Sequence, residues 1–355
     1  MKRLKEIVRK LNQAKVLVIG DLILDEYISG NVDRVSPEAP VPVVWANKHS
    51  YMPGGAANVA NNIAAFDARA SLLGVIGRDK SSETLRHELK KRKISSTAIF
   101  SESGRHTTVK TRIIAGHQQV VRVDWEDTHA LAKEANLKII NYIGKNITKF
   151  DAVIIEDYGK GVINPHLLAE VVALCRKHKK VITVDPKEEN FIYYRGVTAM
   201  TPNRKELENG VRNLRIKDTT NKFRVHNDRL FNDQEINAAA TQILKYLNLD
   251  SILVTLGEQG MRLFEKNGRL INIPTVAQEV FDVSGAGDTV IAVFTLALAV
   301  GASLSEAAYI ANYAAGIVVG KLGTATTDRK ELIQRMGTAT FCLTKPSKKS
   351  LSPHK

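Results

Sequence analysis

The seven residues Asp282-Val283-Ser284-Gly285-Ala286-Gly287-Asp288, followed by an apolar run from Thr289 to Val300, carry the sharpest chemistry in the chain. A Gly-x-Gly turn entering a helix leaves backbone N–H groups without intrahelical partners. They point out of the N-terminus, where the macrodipole also favours an anion. Gly285, Ala286 and Gly287 carry at most a methyl group, so a phosphoryl group can approach the backbone closely. A carboxylate at the mouth of such a hole is out of place for phosphate binding alone. Asp288 suits a general base that takes a proton from an attacking hydroxyl while the N–H groups hold the transferring phosphoryl. Taken alone, the same residues are equally a helix start, with Gly for the turn and Asp for the dipole.

Other polar clusters sit where strands should end. Val16 to Ile19 reads as a buried strand ending at Gly20-Asp21, with Asp25 a few residues on, and open α/β sheets place ligand chemistry beyond the carboxyl ends of their strands. Pro53-Gly54-Gly55-Ala56-Ala57-Asn58 opens a helix of small residues through Ala65. The Gly pair permits a tight turn and a close ligand, and Asn58 offers both donor and acceptor to hydroxyls. Tight packing through Ala56, Ala57, Ala60 and Ala64 explains the same residues, and both readings can hold. Val153-Ile154-Ile155 ends at Glu156-Asp157-Tyr158-Gly159-Lys160-Gly161, where Lys160 could hold a substrate phosphate. Val181 to Val184 ends at Asp185-Pro186-Lys187. Asn203 and Glu206, three apart, share one helix face and could orient water around a magnesium ion bridging nucleotide phosphates. An Asn N-cap with Glu three residues on is equally a capping box.

The elements that must position these groups follow from patterning. Met1 to Ala14 reads as an amphipathic helix, Leu72 to Ile76 as a strand, and Ser82 to Lys91 as a helix. Val41 to Trp45, with prolines at 40 and 42, reads as an edge strand. Thr107 to Asp124 reads as a hairpin around Ala115-Gly116-His117. With Val41 to Trp45 it makes a small separate sheet, a lid that excludes water, or else an extra edge of the main sheet. From residue 151 strands and helices alternate, which implies parallel βαβ units. The basic stretch 211–231 lacks periodicity and reads as a loop. Met261 to Phe264 and Leu270 to Ile273 form a hairpin, and Ser303-Leu304-Ser305-Glu306 is a capping box opening a helix through Val319. The expected fold is a three-layer α/β/α arrangement with a mostly parallel sheet and a small β-sheet lid. Residues 1–335 form one domain, with lid strands from about 38–50 and 105–124. Residues 336–355 form a basic, disordered tail.

Composition narrows the function. The net charge of +14 allows nucleic-acid or anionic-membrane contact and suits phosphorylated small molecules equally. Part of the excess lies in Lys345, Lys348, Lys349 and Lys355 of the tail and in Lys90 to Lys93 at a helix end, both solvated faces. An aromatic content of 6%, with no stacking cluster interleaved with Lys and Arg, counts against nucleic acid. The two cysteines, Cys175 and Cys342, are far apart, which argues against a disulfide framework or zinc site. The N-terminus lacks a signal peptide's continuous apolar core, and Thr289 to Val300 is too short to span a bilayer. A cytoplasmic protein with no membrane contact is expected.

The order of these motifs is more telling than any one of them. Gly20-Asp21…Asp25, Gly54-Gly55…Asn58, Asn203-x-x-Glu206, Thr255-Leu256-Gly257 and Asp282-x-x-Gly285-Ala286-Gly287-Asp288 resemble those of the ribokinase-like (PfkB) sugar kinases over roughly residues 15–335. Within that family, Arg34 to Val44, Pro53 to Ala60, Asp157 to Gly161 and Val318 to Thr324 are similar to the branch that phosphorylates D-glycero-D-manno-heptose 7-phosphate at C1, towards ADP-heptose and the lipopolysaccharide core. The resemblance implies ATP and Mg2+, and K+ as a further ion. It implies Asp288 as catalytic base, Gly285 to Gly287 as the anion hole, and Asn203, Arg204, Lys205 and Glu206 in the nucleotide-phosphate and magnesium region. Thr255 and Gly257 would lie near the nucleotide, Asp25, Gly54, Gly55 and Asn58 on sugar hydroxyls, and Asp282 and Ser284 at a monovalent cation. A substrate already phosphorylated needs cations away from the reacting hydroxyl, for which Lys160, Arg122, Arg34 and Lys187 are the candidates. The lid would pair in a homodimer. Many heptose kinases carry a second domain with a His-x-Gly-His motif. This sequence has none, so a kinase-only form served by a separate adenylyltransferase is expected. The basic character of Asn203 to Glu206 and of 211–231 departs from the family and bears on nucleotide preference. Rival readings are a kinase for another sugar or sugar phosphate, a nucleic-acid-binding protein, and a sugar sensor without catalysis.

Overall fold

Alternation along one strand organises the molecule. In β1 (Lys15–Gly20), preceded by α1 (Lys2–Lys10), Val16 and Val18 join one apolar core while Leu17 and Ile19 join another. Successive side chains of a strand point to opposite faces, so a strand apolar throughout is covered on both. The computed structural model describes residues 1–338 apart from His117, His226, Asp228 and Gln278.

The chain continues through β2 (Leu22–Val35), β3 (Pro42–Gly55), α2 (Ala56–Ala65), β4 (Arg69–Ile76), α3 (Lys80–Lys91), β5 (Ser95–Ser101), β6 (Thr108–Ala115) and β7 (Gln118–Trp125). Then come α4 (Lys133–Asn146), β8 (Ala152–Glu156), α5 (Pro165–Lys177), β9 (Val181–Asp185), β10 (Ala199–Met200), α6 (Arg204–Lys217) and α7 (Asp233–Tyr246). The remainder is β11 (Ser251–Thr255), β12 (Met261–Glu265), β13 (Leu270–Ile273), α8 (Ala286–Ala299), α9 (Leu304–Val318) and α10 (Arg329–Thr338).

The main sheet has the order β13-β12-β11-β10-β9-β8-β1-β4-β5. It is parallel from β5 to β11, and β12 and β13 add an antiparallel hairpin at one edge. One face is covered by α1, α2, α3, α8, α9 and α10, through residues such as Ile63, Leu85, Ile291, Ile310 and Leu332. The other is covered by α4 to α7, through Ile143, Leu167, Val211 and Ile243. This is the expected α/β/α arrangement, with short links returning each helix to the next parallel strand.

The small sheet is separate, with order β3-β2-β6-β7. β2 leaves β1 almost directly, is buried at Leu22 to Asp25, and becomes exposed from Asn31 onward, so the sheet projects from the body. Its strands are longer than the sequence suggested. The whole of β2 was hidden by Asp25, Glu26, Ser29 and Asn31, polar residues that break an apolar pattern. β3 likewise extends well past Trp45. The expected loop at 211–231 is helix as far as Lys217. Leu207, Gly210, Val211 and Leu214 recur at helical spacing and are buried, but Arg204, Lys205, Arg212, Arg215 and Lys217 of the same helix mask the stripe. The Cys342 position and the expected tail from 339 onward lie outside the described residues, as does His117 of the hairpin turn. Cys175 is a buried free thiol. Among the described residues no helix is long and apolar enough to cross a membrane.

Candidate active site

α8 begins at Gly285, whose φ of +76° is a left-handed conformation that glycine adopts without a Cβ penalty. That turn places Asp288 in the first helical turn, and the Ala286 N–H at its start donates to the Val283 carbonyl at 3.2 Å. The Asp288 side chain is buried. Asn58, in the first turn of α2, donates its amide to Asp288 Oδ2 at 2.5 Å, and the Tyr158 hydroxyl donates to Oδ1 at 3.2 Å. Burial pushes the Asp288 carboxyl up to about 6, with the Asn58 and Tyr158 hydrogen bonds opposing the rise and the Asp25 charge adding to it. A carboxylate poised there accepts a proton readily near neutrality. The Oδ1 of Asn58 is buried and has no protein partner, which leaves an acceptor for a bound hydroxyl.

The two strand-end acids flagged near β1 have different roles. Asp21 accepts the backbone N–H groups of Tyr158, Lys160 and Val162 at 2.9, 3.0 and 3.2 Å, so it shapes the loop after β8 rather than facing a ligand. Asp25 lies within β2, buried, and takes Arg112 of β6 at 2.5 Å. Gly54 and Gly55 serve distinct needs. A Cβ on Gly54 would fall 2.4 Å from Asp25 Oδ2, whereas Gly55 has φ +55° and turns the chain into α2.

Glu156 at the end of β8, Asp185 at the end of β9 and Asp288 bring carboxylate oxygens within 4.8 Å of one another. Burial, and then the charge of the neighbouring acids, pushes Glu156 and Asp185 well above the usual carboxylate range. Both Glu156 oxygens are buried without a hydrogen-bond partner. A cluster of three acids, one of them with both carboxylate oxygens buried and unpartnered, fits a hard divalent cation, which takes carboxylate oxygen and water as ligands. The sequence showed Glu156 and Asp185 as strand-end acids but not their convergence, which needs the adjacency of β8 and β9. Tyr158 and Arg112 were likewise not singled out.

Asn203 and Glu206 form the capping box of α6. Asn203 Oδ1 accepts from Glu206 N at 2.9 Å, and a Glu206 oxygen accepts from Asn203 N at 2.8 Å. The capping alternative therefore holds, and it spends one oxygen of each side chain. With Arg204, Lys205, Thr255 and Gly257 they line a cavity of about 950 Å3 that reaches Asp185, Tyr158 and Gly285 to Asp288. Asp282 braces the turn before α8, accepting from Ser284 N at 2.9 Å and from Gly323 N at 3.0 Å. Burial raises its pKa, but these amide bonds outweigh it and hold it below the usual range.

The four cations proposed for a substrate phosphate are not one group. Lys160 pairs with Glu126 at 2.7 Å and Arg122 with Asp124 at 2.8 Å, both beside the lid. Lys187 pairs with Glu188 at 3.3 Å, towards α6. Arg34 is exposed nine residues past Asp25 on β2, roughly 30 Å along a strand, so it cannot meet the same ligand within this chain.

Known proteins share this arrangement. Residues 13–331 match the model of the pfkB family carbohydrate kinases. The chain is 40% identical over 338 residues to the bifunctional protein HldE of Geotalea uraniireducens, covering 95% of this chain and 66% of that protein. It is 43% identical over 319 residues to the bifunctional protein HldE of Helicobacter pylori, covering 90% and 65%. The chain thus spans about two thirds of the length of the curated relatives it matches. Phosphofructokinase-2 from Escherichia coli in complex with potassium has a TM-score of 0.71 at 18% identity, over 91% of this chain and 98% of that one. Arabidopsis thaliana ribokinase complexed with ribose and ATP has a TM-score of 0.67 at 19% identity, over 92% and 99%. These two share the fold. With a family match across nearly the whole described body and a buried acid at a glycine-rich helix start, the chain belongs to the pfkB family and is a carbohydrate kinase.

Proposed function

We propose that the chain transfers the γ-phosphoryl group of ATP to the C1 hydroxyl of D-glycero-D-manno-heptose 7-phosphate, giving the 1,7-bisphosphate. The observation that carries this reading is Asp288, buried at the start of α8 with a pKa of about 6 and fixed by Asn58 and Tyr158. The identity of 40% or so to HldE proteins supports the choice of sugar.

In this mechanism Asp25 and Asn58 hold sugar hydroxyls and orient the attacking one towards Asp288. Asp288 takes its proton as the new oxygen–phosphorus bond forms in line with the breaking bond to the ADP leaving group, and the N–H groups of Gly285 and Gly287 hold the transferring phosphoryl. Nucleotide phosphates lie in the cavity between α6 and α8, beside Arg204 and Lys205, with Thr255 and Gly257 nearer the nucleoside. Glu156 and Asp185, with Glu206 through water, would hold Mg2+, which when bound neutralises charge on the phosphates. K+ beside Asp282 and Ser284 would act on the turn those residues already brace. Lid closure excludes water.

The lid also serves as the homodimer surface in this reading. Val121, Val123 and Trp125 of β7 are 45%, 40% and 63% exposed, an apolar edge that a second lid would cover. The new phosphate at C1 suits a separate adenylyltransferase later in the pathway. The test is ADP release from magnesium-ATP against D-glycero-D-manno-heptose 7-phosphate, fructose 6-phosphate, fructose 1-phosphate and ribose, with phosphorus NMR of the product. A new C1 phosphate on the heptose supports the reading. Preference for another sugar keeps Asp288 and removes the heptose.

A further inference from the structure

The inner face of the lid holds a cation that nothing above uses. In register, Lys110 of β6 lies between Asp25 of β2 and Asp124 of β7, and Arg112 lies between Tyr27 and Arg122. Side chains two apart on a strand share a face, so these six residues line one surface. Its acids are already taken. Asp25 binds Arg112, Asp124 accepts two N–H bonds from Arg122 at 2.8 and 3.0 Å, and Glu126 just beyond binds Lys160.

Lys110 is left over. Among the described residues its ammonium has no hydrogen-bond or ion-pair partner, and it stands 5.7 Å from the centre of the Tyr158 ring. That ring's hydroxyl is the one that donates to Asp288. The lysine is half-buried, and burial lowers its pKa. Arg122 and Lys160 push the same way, against Asp124 and Glu126. An ammonium partly removed from water beside two other cations is costly unless an anion completes the site. The nucleotide cavity does not supply that anion, because Lys110 is not among its lining residues.

We propose that Lys110 binds the phosphate already carried by the sugar and thereby sets the preference for a phosphorylated over an unphosphorylated sugar. A phosphate monoester brings nearly two negative charges and three strong acceptor oxygens. Arg122 and Lys160 flank it, each able to turn from its partly exposed carboxylate partner. The inference rests on the sugar-kinase reading above and adds to it the residue that discriminates.

The test compares wild type, Lys110→Ala and Lys110→Arg with D-glycero-D-manno-heptose 7-phosphate and the same heptose without phosphate. Lys110→Ala is expected to raise KM for the sugar phosphate at least tenfold with KM for ATP within twofold. The kcat/KM ratio of phosphorylated to unphosphorylated sugar should collapse, and Lys110→Arg should restore most of it. An equal loss on both sugars, or a fall in kcat at constant KM, would mean that Lys110 merely positions Tyr158 and overturns the proposal. Calorimetric binding of the sugar phosphate without nucleotide gives a readout that needs no turnover. A tenfold weaker Kd in Lys110→Ala supports the assignment even where no sugar turns over and the kinase reading has failed. Equal binding by both proteins, or none by wild type, removes it.

Discussion

The Asn58 amide of α2 donates to Asp288 of α8, and along the same contact the Thr289 hydroxyl donates to Asn62 Oδ1 at 2.8 Å. Asn62 in turn donates to the Asn58 carbonyl at 3.0 Å. Two largely apolar helices are thus joined by a short polar seam that fixes their register, and that register decides where Asp288 points. A hydrogen bond to the charged form of a carboxyl favours that form. Asn58→Ala is therefore expected to raise the Asp288 pKa above about 6. Losing a bond to a charged group, at about 1.5–3 kcal/mol, lowers kcat/KM roughly 10- to 100-fold. The pH–rate profile at fixed magnesium should show its acid limb moved upward. An unmoved limb with the same loss of rate would assign Asn58 to sugar binding alone.

Asp288→Asn keeps the shape of the side chain and removes the proton acceptor. Turnover is expected to fall by about 10²- to 10⁴-fold, the usual contribution of a positioned general base. Binding of sugar and ATP should change little, because neither depends on the abstracted proton. Single-turnover kinetics beside calorimetry separate the two. A variant that binds normally and turns over at half the wild-type rate would remove Asp288 from the chemistry.

The main sheet is legible in the sequence alone, and the features that are not share a cause. Strands β1, β8 and β9 are mostly apolar and end in Gly or acid, so the parallel sheet could be read directly. The helix start that buries Asp288 could be read too, since Gly-Ala-Gly-Asp before an apolar helix is a local pattern. What local pattern cannot carry is which strand ends are neighbours. Glu156, Asp185 and Asp288 are far apart in sequence and meet only because β8 and β9 are adjacent and α8 packs across them. The pairing of Asp25 with Arg112 likewise depends on β2 running parallel to β6. Lid strands were underestimated because a sheet with one face over a polar site loses the apolar alternation that reveals strands elsewhere. Arg34 was grouped with Arg122 and Lys160 by charge alone, whereas the length of β2 separates them.

Gly285 tests the turn proposed as the anion hole and, through Asn58, the support of Asp288. At φ +76° a Cβ is strained, and it would lie 3.0 Å from Asn58 Nδ2, the atom that holds Asp288. Gly285→Ala is expected to cost about 1–2 kcal/mol of stability, from a residue forced into the left-handed region. It should also lower kcat more than the stability loss explains, since the N–H groups of the turn and Asn58 both shift. Thermal unfolding measured beside kcat decides this. A variant with a lowered Tm and unchanged kcat would show that the turn is structural only.

The acid cluster makes a prediction about stability that is independent of turnover. Asp157 and Asp288 both have folded pKa values of about 6, raised first by burial, against about 3.8 for an unconstrained carboxyl. Between those values the folded chain holds protons that the unfolded chain releases. Stability must then fall as pH rises through this window, by up to ~3 kcal/mol per group, and stay reduced above it. Acids held below their usual range, such as Glu26 and Asp79, act in the opposite sense at lower pH, so measurements from pH 5 upward isolate the buried set. In magnesium-free buffer Tm is expected to decline from pH 5 to pH 7. Millimolar Mg2+ should restore it, and by more at pH 7.5 than at pH 5, because protons compete with the metal for Glu156 and Asp185. Calorimetric scans across that range, with and without Mg2+, measure both effects. An equal magnesium shift at the two pH values would mean that the ion binds elsewhere, and a Tm rising steadily to pH 7 would mean that these carboxyls are ionised at little cost in the fold.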